Sequence, residues 1–377
     1  MALGLGCELA GWLTLAGGSN LLLAVHLLAL GLLVFPLLGM GWQLLPVLAT
    51  RPPSRLERDA SIAITVLAIL GAAGLVGGMA GPFSATAPFA LALPVALMGR
   101  SAVAVLTVAK APGRLGIRAW IAAAELTLLG GAVLGGALYL QRAGVPLGFS
   151  PPSTIAVHAA LMALGWGGGN ITGFAALLFP MFAIAREPAD RLLVPAGALW
   201  FVGILGWMPP IFGLGALAAA LLLGASLRGR GPLGPGLVLA GVAQLGLLAT
   251  AAAWTLERPF PEVVALAAAL WILPLRVGVA LRIVPFLAWA NWLSDHPKRS
   301  PAPAALVPTR LAWVLVGAVL TGGALVVTGT TLPAFLPVGA LVLATATLLL
   351  VATLGTILSR AFFANLRAGG LAGTESP

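Results

Sequence analysis

The sequence predicts an all-α integral membrane protein of about eleven (11–12) transmembrane helices, and three observations carry that prediction. Hydrophobic residues make up 60% of the 377 residues and charged residues 8%, against roughly 25% charged in an average soluble domain. The apolar residues come in long runs, most of them enough to cross a hydrocarbon core of about 30 Å. None of these runs alternates with the period of two that a membrane β-barrel needs.

Spans are read between charged or Pro/Gly-rich breaks. They fall near 20–48, 61–82, 86–109, 118–141, 154–184, 191–208, 210–227, 234–256, 261–292, 311–330 and 334–359. Residues 1–19 carry no positive n-region, so no cleavable signal is expected, and the first span starts near Asn20. The runs 191–208 and 210–227 are separated only by Trp207-Met208-Pro209-Pro210. The segment Gly369–Pro377 is small and polar, which predicts a disordered tail behind a single polytopic domain that takes up the rest of 1–377.

Loop charges orient the spans. One alternating set of loops holds Arg51, Arg55 and Arg58, then Lys110, Arg114 and Arg118, Arg186 and Arg191, Arg228 and Arg230, Lys298, Arg299 and Arg310, and Arg360 and Arg367; the other holds Arg142 and Arg258. The positive-inside rule then predicts a multi-pass protein of a bacterial-type inner membrane, N-terminus outside and C-terminus cytoplasmic. The net charge of +10 is absorbed by this topology and calls for no nucleic-acid partner. The single Cys7 excludes an intrachain disulfide and a thiolate cluster built from this chain alone.

The run 154–184 is also a template. Gly165 is followed eight residues on by Gly173 and seven further by Pro180; Gly31, Gly39 and Pro46 repeat that spacing, and Gly278 and Pro285 repeat its end. Three related helices four places apart predict three four-helix arcs with a pseudo-threefold repeat, in units of about 20–141, 154–256 and 261–359, the last lacking one helix.

The stretches that carry this pattern are His158-Ala-Ala-Leu-Met-Ala-Leu-Gly-Trp166 through Gly173 to Leu178-Phe-Pro-Met181, His26 through Gly39 to Gln43-Leu-Leu-Pro46, and Arg282-Ile-Val-Pro-Phe-Leu-Ala-Trp289. In them the chain resembles the catalytic-subunit (subunit I) superfamily of heme–copper oxygen and nitric oxide reductases. The resemblance implies twelve helices in three arcs, of which this chain lacks the first. It departs from the family in its ligands. The family uses about six histidines for two hemes and a copper, whereas this chain has three, with Ala160 where relatives carry a second histidine and no histidine in 261–292. Oxygen reduction is therefore not expected.

His26 and His158 lie about six and five residues inside the outer ends of their spans, roughly 6–9 Å deep at about 1.5 Å per residue. Three readings stay open. The two imidazoles are the axial ligands of one b-type heme; or they bind copper, with Met162 one turn after His158 adding a thioether; or each ring hydrogen-bonds a neighbouring helix or a headgroup. His296, in Asp295-His-Pro, reads as a solvated loop residue.

Intramembrane charges are costly and usually pair inside a bundle. Glu125 lies at a depth that suits an ion pair with Arg282 or Arg100, pinning helices or relaying protons. Arg276 is the deepest charge, placed to meet heme propionates or an anionic substrate, or to snorkel. Asn170 and Gln244 read as polar glue between helices. Trp12, Trp42, Trp120, Trp254, Trp289, Trp292 and Trp313 read as an interfacial belt.

Three functions follow. The first is a heme-binding membrane protein of oxidase-like fold, acting in electron transfer, in nitric oxide response or as a companion subunit of a respiratory complex. The second is a transporter or cofactor-assembly factor with a polar pathway through Arg276, Arg282 and Glu125. The third is a structural subunit that has lost its cofactors. Partners are the lipid bilayer and either other respiratory subunits or further copies of the chain.

Overall fold

A computed structural model describes residues 2–18, 20–148, 151–228, 234–294 and 300–372. Among these residues there is no strand, and twelve main helices account for nearly all of the chain. They are α1 (Ala2–Gly17), α2 (Leu21–Ala49), α3 (Arg55–Ala80), α4 (Phe83–Ala109), α5 (Leu115–Arg142), α6 (Ser153–Ala183), α7 (Asp190–Leu205), α8 (Pro209–Ser226), α9 (Pro235–Thr255), α10 (Phe260–Trp292), α11 (Thr309–Gly329) and α12 (Phe335–Leu366). Ten of the described helices are long and apolar enough to cross a bilayer; α1 and α7, at 16 residues each, are shorter. The chain is a multi-span helical membrane protein.

Local chemistry sets the helix ends. Ser54 caps α3 by accepting from the Glu57 amide at 3.2 Å while its own amide donates to Glu57 Oε2 at 2.7 Å, a capping box. Asn20 caps α2 by accepting from the Leu23 amide at 3.0 Å, and its Nδ2 donates to the Met79 carbonyl of α3 at 2.9 Å. The runs 191–208 and 210–227 resolve into α7 and α8, parted at Trp207 by a left-handed turn (φ 53°).

Two boundaries are corrected. Residues ahead of Asn20, expected to lie before the first span, form α1. It runs antiparallel beside the first half of α2, with Gly11 against Leu28 and Gly31 against Glu8, and it packs on α12 as well. A 16-residue helix is only about 24 Å long, and Glu8 interrupts its apolar run, which is why the span rule passes over it. At the other end, the helix of α12 continues to Ala372, into the segment expected as a disordered tail; residues 373–377 of that tail lie outside the described residues. His296, Arg230, Lys298 and Arg299 also lie outside them.

Packing follows chain order, with α1 on α12 closing the bundle. Skipped neighbours also meet: α2 with α4, α6 with α8, and α10 with α12. The helices α2, α6 and α10 each contain a wider π-helical segment, at Leu30–Val34, Ala160–Gly168 and Leu266–Ile272. Such segments shift the register of a helix by part of a turn and gather at functional sites. Trp12, Trp120 and Trp254, expected in an interfacial belt, are buried, whereas Trp292 and Trp313 are exposed. Trp120 and Trp254 belong to an internal aromatic cluster in which Trp200 packs on Trp120, Trp271 and Phe212 at centroid distances of 5.8, 5.8 and 4.9 Å.

Candidate functional site

His26 lies four residues before the π segment of α2, and His158 two residues before that of α6. His26 Nδ1 lies 2.9 Å from the Leu22 carbonyl, and His158 Nδ1 lies 2.8 Å from the Gly131 carbonyl of α5. A carbonyl only accepts, so both rings carry their proton on Nδ1 and present the lone pair on Nε2. That is the tautomer a metal takes, with the backbone carbonyl fixing ring orientation from behind. Both residues are half-buried.

Glycines make the room. A Cβ at Gly135 would come within 2.6 Å of His158 Cε1, and one at Gly131 would come within 2.6 Å of Met162 Sδ. His158 and Met162 therefore lie side by side on the strip of α5 around Gly131 and Gly135. Among the described residues no group of three or more His, Cys, Asp or Glu side chains could hold a metal ion. A heme needs only two axial ligands from the protein, whereas an isolated ion is usually held by three or four. Two imidazoles are the donors a heme takes, and the Met162 thioether beside His158 is the further donor copper would add. Tyr139, one turn beyond Gly135, closes the neighbouring wall with its hydroxyl 2.5 Å from Thr86 Oγ1 and its ring on Phe83 at 5.2 Å.

The buried charges form two separate centres. Arg100 and Glu125 are ion-paired at 1% and 0% exposure. Ser101 Oγ donates to Glu125 Oε2 at 3.0 Å, Asn170 Nδ2 donates to Glu125 Oε1 at 3.0 Å, and the Arg100 guanidinium stands over the Trp166 ring at 5.7 Å. Of the two partners weighed for Glu125, Arg100 is the one it meets. Arg282 lies elsewhere, its guanidinium against Gly234 at the start of α9.

The second centre corrects the reading of Arg276. Its guanidinium pairs with Glu8 of α1, and Thr347 Oγ1 of α12 donates to the other Glu8 oxygen at 3.0 Å. Arg276 is thus engaged by a carboxylate of this chain and is not the free cation that a propionate or anionic substrate would need. Arg276, Arg282 and Glu125 thus have different neighbours, Glu8, Gly234 and Arg100 respectively. Sequence reasoning passed over Glu8; its one signal was a lone acid within the apolar stretch Leu5–Leu13.

Comparison of the sequence with known protein families finds no family that matches, and no curated protein matches it.

Proposed function

We propose that this chain is a heme-binding membrane protein whose single b-type heme is held between His26 and His158, without oxygen-reductase chemistry of its own. The observation that carries the reading is the pair of imidazoles with Nδ1 fixed on backbone carbonyls and Nε2 free to coordinate. A bound heme would supply one-electron transfer or, with one axial position opened, binding of a diatomic gas. The chain's own part is to orient both rings on backbone carbonyls and to seat His158 and Met162 on the glycine strip of α5. With three histidines in the whole chain, a second heme and a copper have no ligands left. Copper held by His26, His158 and Met162 is the alternative occupant.

The fold we assign is three four-helix arcs, α1–α4, α5–α8 and α9–α12, about a pseudo-threefold axis, as in the heme–copper oxidase subunit I superfamily. It is supported by the π segments recurring every fourth helix and by the matching contacts α4–α5, α8–α9 and α12–α1. With α1 included, the units are four helices each and begin one helix earlier than the spans alone suggest. Under the loop-charge rule this frame starts α1 toward the cytoplasmic side, so both chain ends face the cytoplasm of a bacterial-type inner membrane.

The test is expression under heme-replete conditions followed by absorption spectroscopy. One Soret-absorbing heme per chain is expected, lost in His26→Ala and weakened or opened to carbon monoxide in His158→Ala. A full, unshifted heme spectrum in the double variant would exclude histidine ligation. Copper binding in its place, lost in Met162→Leu, would select the alternative.

A further inference from the structure

At the bundle end that carries the basic loops, the first turns of α3 and the last turns of α4 form an open groove of about 380 Å³. One wall is apolar: Leu56, Ala60, Val103 and Leu106, with Leu56 79% and Leu106 60% exposed. The opposite, polar rim is Arg51, Ser54 and Lys110. Its floor is rigid, because Arg51 forms a two-pronged ion pair with Glu57 at 2.6 and 2.7 Å, and Thr107 Oγ1 donates to Glu57 at 3.0 Å. Those bonds use up the Glu57 carboxylate internally. Among the described residues Lys110 has no carboxylate partner, and the neighbouring Arg55 is 3.9 Å from Asp59 with its side chain 90% exposed. The mouth of the groove is therefore positive while its wall is greasy.

We infer that this groove is a binding site for one anionic phospholipid of the adjacent leaflet. The phosphate lies between Lys110 and the Ser54 end of the rim, and an acyl chain runs along Ala60, Val103 and Leu106 toward the bilayer centre. Charge complementarity selects the occupant. A zwitterionic lipid would bring its own cation toward Lys110, which has no carboxylate partner among the described residues, whereas an anionic headgroup neutralises that charge. Soluble phosphate satisfies the rim alone and leaves the exposed Leu56 and Leu106 uncovered. The site is independent of the histidine pair, which lies toward the opposite end of the same bundle.

Native mass spectrometry of the full chain released from nanodiscs tests the assignment. Nanodiscs of dioleoyl-phosphatidylglycerol should yield one retained lipid per chain, and nanodiscs of dioleoyl-phosphatidylcholine should yield none above background. Lys110→Gln should lower phosphatidylglycerol retention about five-fold, the contribution expected of one basic side chain at an anionic surface. Ala60→Phe, which fills the apolar wall, should abolish retention. Lys110 is exposed and outside the Glu57 network, so its variant folds whether or not Ala60→Phe does. Equal retention of the two lipids, or retention unchanged in Lys110→Gln, would overturn the proposal. Competition by glycerol phosphate as effective as that of the intact lipid would also overturn it, assigning the rim to a soluble phosphate.

Discussion

His158 of α6 lies across Gly135 of α5, with its Nδ1 held 2.8 Å from the carbonyl of Gly131 one turn away. The seat exists only because residue 135 has no side chain. An alanine there would put a methyl group 2.6 Å from Cε1 and 3.2 Å from Nδ1, so the ring would have to leave its carbonyl. Gly136, whose Cβ would find its nearest atoms at 3.6 and 3.7 Å, can accept alanine without such displacement.

Gly135→Ala is therefore expected to lower heme affinity about 10- to 100-fold, the usual consequence of disturbing what orients a metal-ligating histidine. Gly136→Ala should leave it unchanged. Hemin titration of the two purified variants reads the difference, and equal affinities would mean that the His158 orientation does not matter for binding.

Glu125→Gln leaves Arg100 buried at 1% exposure without its counter-charge, and is expected to cost about 3–5 kcal/mol of stability. Replacing both partners by apolar residues, Arg100→Met with Glu125→Leu, should cost less than either single change, because no charge is then left in a low-dielectric interior. Unfolding in mixed micelles measures both. A double variant as destabilised as the sum of the singles would show the two groups to be energetically independent.

The two ion pairs also mark where sequence reasoning succeeds and where it stops. The Arg100–Glu125 pair was legible as one of two options because both residues sit at similar depth on consecutive helices, 25 positions apart. Arg276 was legible as a buried charge, but its partner Glu8 stands 268 positions away. Only closure of the bundle by α1 against α12 brings the two together, and hydropathy does not register α1 as a span. The π segments had no shared compositional signature, since Leu266–Ile272 lacks the glycine that the other two contain. The long spans were legible because a membrane demands about 20 apolar residues of each crossing helix. The roles of Trp120 and Trp254 were not, since the same residue serves both as an interfacial anchor and as a filler between helices.

Because the Glu8–Arg276–Thr347 centre and the Arg100–Glu125–Asn170 centre share no residue, their disruptions should add. Glu8→Gln combined with Glu125→Gln is expected to destabilise by the sum of the single effects within about 0.5 kcal/mol, whereas Glu8→Gln and Arg276→Met should couple strongly. Strong coupling between the two glutamates would reveal a common network instead.

The last expectation concerns orientation, and it follows from where the cations lie in the helical frame. The α2–α3 and α4–α5 connections carry Arg51, Lys110 and Arg114, and the α5–α6 connection follows Arg142 with the uncharged stretch Val145–Gly148. Antiparallel succession puts the first two connections at one end of the bundle and the third at the other. The positive-inside rule then predicts that the first end is cytoplasmic. In a Cys7→Ser background, Val145→Cys should react with an impermeant thiol reagent in intact cells, and Pro112→Cys in the α4–α5 turn should react only after permeabilisation. Both positions are exposed, so access to solvent does not limit either reaction. The reverse pattern would turn the whole bundle over and place His26 and His158 near the cytoplasmic face, where a heme would exchange electrons with cytoplasmic rather than external partners. Labelling of both positions in intact cells would mean that the reagent had crossed the membrane, so a lysate-only control at Arg55→Cys, on the same side as Pro112, accompanies the pair.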